Sequence, residues 1–417
     1  MLTFLKNRDN WPFLRFWLAQ LVSQFGDRVN QMALVGLITA RHPDSPFELA
    51  KILAFTIIPV FVIGPVAGVY VDRWDRRRTL FACDFIRGFL VLGIAFYLIN
   101  LSSILPIYAV VFLIFAFSRF YVPAKMSFIP QMVQTRDLHI ANSLVTVTGM
   151  AALVFGALFG GIIVEKYGAR GGFFWDAATF FFSGLLVFSM PAVRKLRTGF
   201  DTHKMLTAGR QMLGVHKTVL AEIDEGIAYI RGQKKIRFIF VMMSVLFAAA
   251  GAVYVVLIVF IQQAFHSVTR DLGFLAVPLG AGLFFGSMLY SKWGGAISKW
   301  KAMFWSMVFG GLMVALFALM AHTTHNLALA AALAFGLGFV IGPTVIAANT
   351  VVHTVCSEQM SGKVFSALEF VIHAAFLLAM LASAYAAEYV SRVWILSAVG
   401  AIFLVVGIIG LITYKDD

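Results

Sequence analysis

Long apolar runs separated by short polar breaks recur along all 417 residues. A membrane crossing needs roughly 20 apolar residues in helical form, because lipid offers the backbone no hydrogen-bond partner. About twelve runs meet that length, at approximately 14–38, 50–71, 79–99, 106–128, 140–164, 171–191, 238–263, 273–291, 301–321, 327–352, 363–387 and 393–413. The largest polar interval, 192–237, contains no run long enough to span and predicts a cytoplasmic linker between two six-helix halves, 1–191 and 238–417. Ile223, Ile227 and Ile230 mark one apolar face within it, the pattern of an amphipathic helix lying on a membrane surface. A membrane β-barrel would show alternating segments, and runs such as LLVFSM or AAALAFGLGFVIG do not alternate. The predicted fold class is an all-α membrane protein with twelve transmembrane helices.

Composition agrees with that pattern. With 60% hydrophobic residues and only 13% charged, and a mean hydropathy of +0.87, the chain holds more apolar surface than a soluble domain can hide. The start, MLTFLKNRDNWPF, is polar and its first apolar run continues past signal length, so a cleaved signal peptide is not expected.

The net charge of +13 raises nucleic acid as a partner, but its distribution points elsewhere. Of the 33 Lys and Arg, 24 fall on the side that would hold both termini, six on the opposite side and three within spans. The positive-inside rule then predicts cytoplasmic termini, with attraction to anionic headgroups of membrane lipids as a secondary effect. Cys83 and Cys356 are predicted near the cytoplasmic face and supply no disulfide framework.

The break after the second run reads GVYVDRWDRRR, from Gly68 to Arg78. With twelve spans and a central linker, Gly68, Asp72, Arg73, Arg76, Arg77 and Arg78 resemble the signature G-x-x-x-D-R-x-G-R-[RK]-[RK] of the major facilitator superfamily. Asp75 stands where that signature has glycine, a variation similar to the branch of macrolide exporters, siderophore exporters and lysophospholipid transporters. The resemblance continues through QFGD at Gln24 to Asp27, and through Pro123, Ala124, Lys125, Ala141 and Asn142 between the fourth and fifth spans. In the second half it rests on organisation and on GKVFSALE near Gly362. It implies a bacterial inner-membrane transporter of two rocking halves that acts as a monomer.

Gly68 is expected to let the second helix approach a neighbour closely, and Asp72 to accept from a helix N-terminus or an arginine across the loop, latching one conformation. The arginines also serve topology. The corresponding break after the eighth span, GSMLYSKWGGAISKWK, is degenerate: Gly286 matches Gly68, but Tyr290 replaces the acidic residue and only Lys292 and Lys299 add charge. Gly156, Gly160 and Gly161 in the fifth span have the small-residue spacing of tight helix packing, and resemble the glycine-rich fifth helix of superfamily antiporters, a pivot for rocking.

Ionisable residues at mid-helix cost about 2.5 to 3.5 kcal/mol each on insertion scales, which makes them candidates for function. In the first span, Gln20, Gln24, Asp27 and Gln31 follow helical spacing on one face, with Arg28 adjoining. Arg119 of the fourth span occupies a place where drug exporters of the superfamily carry an arginine, and is the expected partner of Asp27. Arginine favours the charged carboxylate and burial the neutral one, a competition that suits a proton carrier. Arg28 is expected to pair with the eleventh span. There Glu369 and His373 lie one turn apart, carboxylate beside imidazole, suited to proton handling and too few for a metal. Asp84 and Arg87 read as a local ion pair near the cytoplasmic end, and Asp176 as interfacial.

No Walker sequence, HExxH, GxSxG or paired CxxC occurs, so neither ATP hydrolysis nor an enzyme is expected, and no cofactor. An ion gradient is the expected energy source. Forty-two phenylalanines and 17 methionines allow an adaptable apolar pocket. Proton-coupled export of amphiphilic small molecules is the first expectation, and a lysophospholipid flippase the alternative.

Overall fold

Apolar runs of this length leave the backbone no hydrogen-bond partner but itself, and in the computed structural model every described run is helical. The structure describes residues 4, 10–190, 230, 232–294, 298–355 and 358–413. The interval 192–229, with most of the expected surface helix, lies outside them, as does Cys356. No strand occurs among the described residues.

The helices are α1 (Trp11–Arg41), α2 (Pro46–Val62), α3 (Gly64–Arg73), α4 (Arg76–Phe96), α5 (Leu105–Phe128) and α6 (Leu138–Ser189). They continue as α7 (Lys234–Phe265), α8 (Arg270–Trp293), α9 (Lys299–Thr324), α10 (Leu327–Val355), α11 (Glu358–Ala386) and α12 (Arg392–Thr413). The expected second span is two helices, because Pro65 in the first turn of α3 cannot continue the hydrogen-bond ladder of α2. The fifth and sixth spans are one continuous element, α6, divided only at Gly168, whose φ of 70° is open to glycine.

Nine described segments are long and apolar enough to cross a membrane. Thr135–Ser189, at 55 residues, is one of these and holds two crossings about Gly168. With α1 and the α2–α3 pair, the arrangement is consistent with twelve. Side chains such as Phe89, Phe188, Leu378 and Ile412 are exposed on the helix surfaces, as lipid-facing positions require.

The chain divides into two compact units, one of Met1–Leu37 with Phe55–Leu220 and the other of Ile38–Ala54 with Ala221–Asp417. The second unit thus includes the end of α1 and the start of α2. In the first unit α4 packs on α5 and α6, and α3 on α5; in the second, α8 packs on α10, α9 on α10 and α12, and α7 on α11. Phe13, Phe16, Phe128 and Leu144 belong to the core of the first unit, where the rings of Phe16 and Phe128 meet edge to face at 5.5 Å.

Candidate buried charge cluster

Asp75, the residue that departs from the superfamily signature, is the N-cap of α4. Its Oδ1 accepts from the Arg78 amide at 2.8 Å, meeting one of the orphan donors at that helix start. Arg77 donates through Nε to the Val187 carbonyl at 3.2 Å and through Nη2 to the Phe188 carbonyl, while its guanidinium lies over the Phe188 ring. These carbonyls belong to the last turn of α6, where a cation is favoured by the helix dipole. Arg73 is exposed. The side chain of Asp72 lies outside the described residues. Gly68 does not make the close approach expected of it: a Cβ there would meet no described atom within 4 Å.

The cap starts α4 so that Asp84 and Arg87, one turn apart, enter the interior of the first unit. Arg87 is 2% exposed and Asp84 fully buried. Arg87 Nη2 donates to Asp84 Oδ1, Nη1 to Ser118 Oγ of α5 at 3.2 Å and Nε to the Cys83 carbonyl at 3.3 Å. Its guanidinium lies 4.5 Å from the Tyr121 ring centroid and 4.3 Å from that of Phe180. A planar cation between two ring faces is favourably placed when cut off from water. The second oxygen of Asp84 accepts from Ser183 Oγ at 2.8 Å and from the Tyr121 hydroxyl at 3.5 Å. Gln20 of α1 donates to that same hydroxyl.

Asp27 completes the cluster. Its Oδ1 lies 3.7 Å from Arg87 Nη1, and its side chain is 42% exposed. The expected partner was Arg119, but the ion pair is with Arg87. Arg28, Lys125 and Arg119 also attract Asp27, each more weakly than Arg87. Sequence spacing could not decide between the two arginines, because each lies on a different helix from Asp27 and only packing sets which guanidinium arrives.

Arg28 Nη1 donates to Gln31 Oε1 on the next turn at 2.9 Å. Gln24 Nε2 is buried without a hydrogen-bond partner in the protein. Asp176 is fully buried, and its Oδ2 accepts from Asn30 Nδ2 at 2.7 Å. Asn30, Tyr121 and Ser183 had no place among the expected site residues. The available signal was the pair of carboxylates, Asp84 and Asp176, inside runs that should hold none.

Gly156, Gly160 and Gly161 are buried on α6. A Cβ at Gly156 would meet Arg28 Cβ at 2.9 Å, and one at Gly160 would meet Val29 Cα at 3.0 Å. The close contact of Gly156 and Gly160 is therefore with α1, inside the first unit, and it sets α1 in register with the charged residues. Glu369 and His373 are not joined side chain to side chain. His373 Nδ1 is 2.8 Å from the backbone carbonyl of Glu369, a contact within one helix turn, and the Glu369 side chain is exposed. No group of three or more potential metal ligands occurs among the described residues.

A family profile described as Major Facilitator Superfamily matches residues 16–380. BacE of Bacillus amyloliquefaciens, named as a candidate bacilysin exporter, is 26% identical over 375 residues, 87% of this chain and 85% of its own. Macrolide efflux protein A of Streptococcus pyogenes is 29% identical over 143 residues, covering 32% of this chain and 34% of its own. A solved structure of a bacterial homologue of the iron transporter ferroportin, in inward-facing state, has a TM-score of 0.72 at 13% identity, covering 96% of this chain and 98% of that one. That likeness is one of fold.

Proposed function

The chain belongs to the Major Facilitator Superfamily, and from that premise we propose that it exports amphiphilic small molecules in exchange for protons, by alternating access of its two halves. The observation that carries this reading is Asp27, a partly exposed carboxylate set 3.7 Å from an arginine that is otherwise buried. A proton on Asp27 would cancel its attraction to Arg87, and a cationic or strongly polar substrate end would compete with Arg87 for the same oxygens. Proton and substrate would then bind in exclusion of each other, which is what exchange requires. Relatives whose names refer to macrolide efflux and bacilysin export support the outward direction.

In this reading both termini face the cytoplasm of a bacterial inner membrane, the halves are 1–191 and 238–417, and the protein works as a monomer. Asp72 and the arginines beside it belong to conformational control, and Asp27, with Gln24, Arg28, Gln31 and Arg119 around it, to substrate and proton handling. Glu369 and His373 are assigned no direct part, since nothing joins the carboxylate to the imidazole.

Everted vesicles test the reading. Wild-type vesicles energised with a proton gradient should accumulate a hydrophobic cation or a macrolide, and Asp27→Asn should abolish both uptake and the accompanying proton release. Unchanged coupling in Asp27→Asn would sink the carrier role. Transport of a labelled lysophospholipid in place of the small molecules would move the substrate class to lipid.

A further inference from the structure

Asp176 has a hydrogen-bonding pattern that a carboxylate anion does not explain. It is fully buried on α6, and its one side-chain donor is Asn30 Nδ2, 2.7 Å from Oδ2. Its Oδ1 has no hydrogen-bond partner in the protein, and neither does Oδ1 of Asn30. Thr179 supplies no donor, because its hydroxyl is given to the Asp176 backbone carbonyl at 2.7 Å. A Cβ on Gly26 would come within 2.7 Å of Asp176 Oδ1 and 1.8 Å of Thr179 Oγ1, so α1 presses directly on the unpaired oxygen and leaves little room for a solvated ion.

Charge balance points the same way. Among the described residues no Lys, Arg or His lies within ion-pair distance of Asp176. The charged groups acting on it are Asp27 of α1 with Asp84 and Arg87 of α4, and Arg87 already holds both of those carboxylates. Arg28 on α1, and Arg119, Lys125 and the Tyr121 hydroxyl on α5, face the cluster through Asp27 and Asp84. A carboxylate charge fully buried at Asp176 with one neutral donor would cost far more than a single amide hydrogen bond returns.

We propose that Asp176 is a proton-binding site, occupied by one proton, whose O–H donates to Asn30 Oδ1 while Asn30 Nδ2 donates to Asp176 Oδ2. One proton answers both unpaired oxygens and closes a reciprocal acid–amide ring between α1 and α6. It also leaves two carboxylates on one guanidinium instead of three. The site is separate from Asp27 and needs no substrate, so it stands whether or not the export reading holds.

Infrared spectroscopy of the full-length protein in nanodiscs at neutral pH, with aspartate carrying a carbon-13 carboxyl label, tests it. Wild type should show a label-sensitive carboxylic acid C=O band that is lost in Asp176→Asn and kept in Asp27→Asn. Because an amide can both donate and accept across the ring, Asp176→Asn should melt with wild type, whereas Asp176→Ala and Asn30→Ala should melt lower. The double exchange, Asn30→Asp with Asp176→Asn, should restore the band by reversing the pair. The proposal is overturned if Asp176→Asn leaves the band unchanged, if that variant fails to fold, or if sodium ions raise the wild-type melting temperature through Asp176, which would make the site one for a metal cation.

Discussion

Helices α1, α4, α5 and α6 of the first unit meet through buried polar side chains, centred on Arg87 between Asp84, Asp27 and two aromatic rings. Helices α8 and α10 of the second unit meet through bare backbone. A Cβ at Gly282 would lie 2.0 Å from the Phe335 carbonyl oxygen, one at Gly286 2.0 Å from that of Phe339, and one at Gly338 2.1 Å from that of Leu279. Lipid gives helices no hydrophobic reason to associate, so contact must come from close backbone approach or from polar bonds. The second unit uses approach, and keeps a polar group at the ends of its helices. There Gln263 donates to Asp44 Oδ1 at 2.7 Å and Ser45 to Glu388 Oε1 at 2.7 Å, beside a cavity of about 510 Å³ lined by Gln263, His325 and Arg392. The first unit adds to such approach, at Gly156 and Gly160, the cost of interior charge. The difference lies in what fills the helix contacts, buried charge in the first unit and close backbone approach in the second.

Substitutions can break this contrast in order of effect. Arg87→Leu should be the most damaging, because it strands the buried Asp84; breaking a buried pair costs about 3–5 kcal/mol, read as a fall in the melting temperature of purified protein together with loss of transport. Gly338→Leu should cost about 1–3 kcal/mol by forcing α8 and α10 apart. Gly68→Ala, which meets no neighbour, should leave the melting temperature near wild type and so serves as the control for glycine itself.

Asp27→Asn should separate stability from function. Arg87 keeps its bond to Asp84 when Asp27 is made neutral, so the melting curve should barely move while proton-linked uptake disappears. A large melting shift would make Asp27 a structural residue of the cluster. Glu388→Gln should also have a small effect, within about 1 kcal/mol for a solvent-exposed charge, measured by the same unfolding assay. A larger loss there would show that the second unit also depends on its polar contacts.

Much of this was legible before folding. Apolar run length announced the crossings, and helical spacing put Gln20, Gln24, Asp27 and Gln31 on one face of α1. The partner of Asp27 was not legible, since Arg87 and Arg119 sit in equally apolar surroundings on different helices. Asp84 and Arg87 read as a local pair because their spacing is local, and nothing in that spacing says that α1 brings a second carboxylate to the same guanidinium. Asp75 departs from the superfamily signature, and an aspartate just before a helix is a capping signal in its own right.

The sequence by itself determined a membrane-embedded helical chain, a polar face on α1 and the presence of interior charge, because length, period and composition act locally. Only the tertiary structure decided which charges meet, that Gly68 is free while Gly156 and Gly160 press on α1, and that Asp176 ends against Asn30. Those outcomes depend on distances between helices, and such distances are set by how side chains pack across the gap.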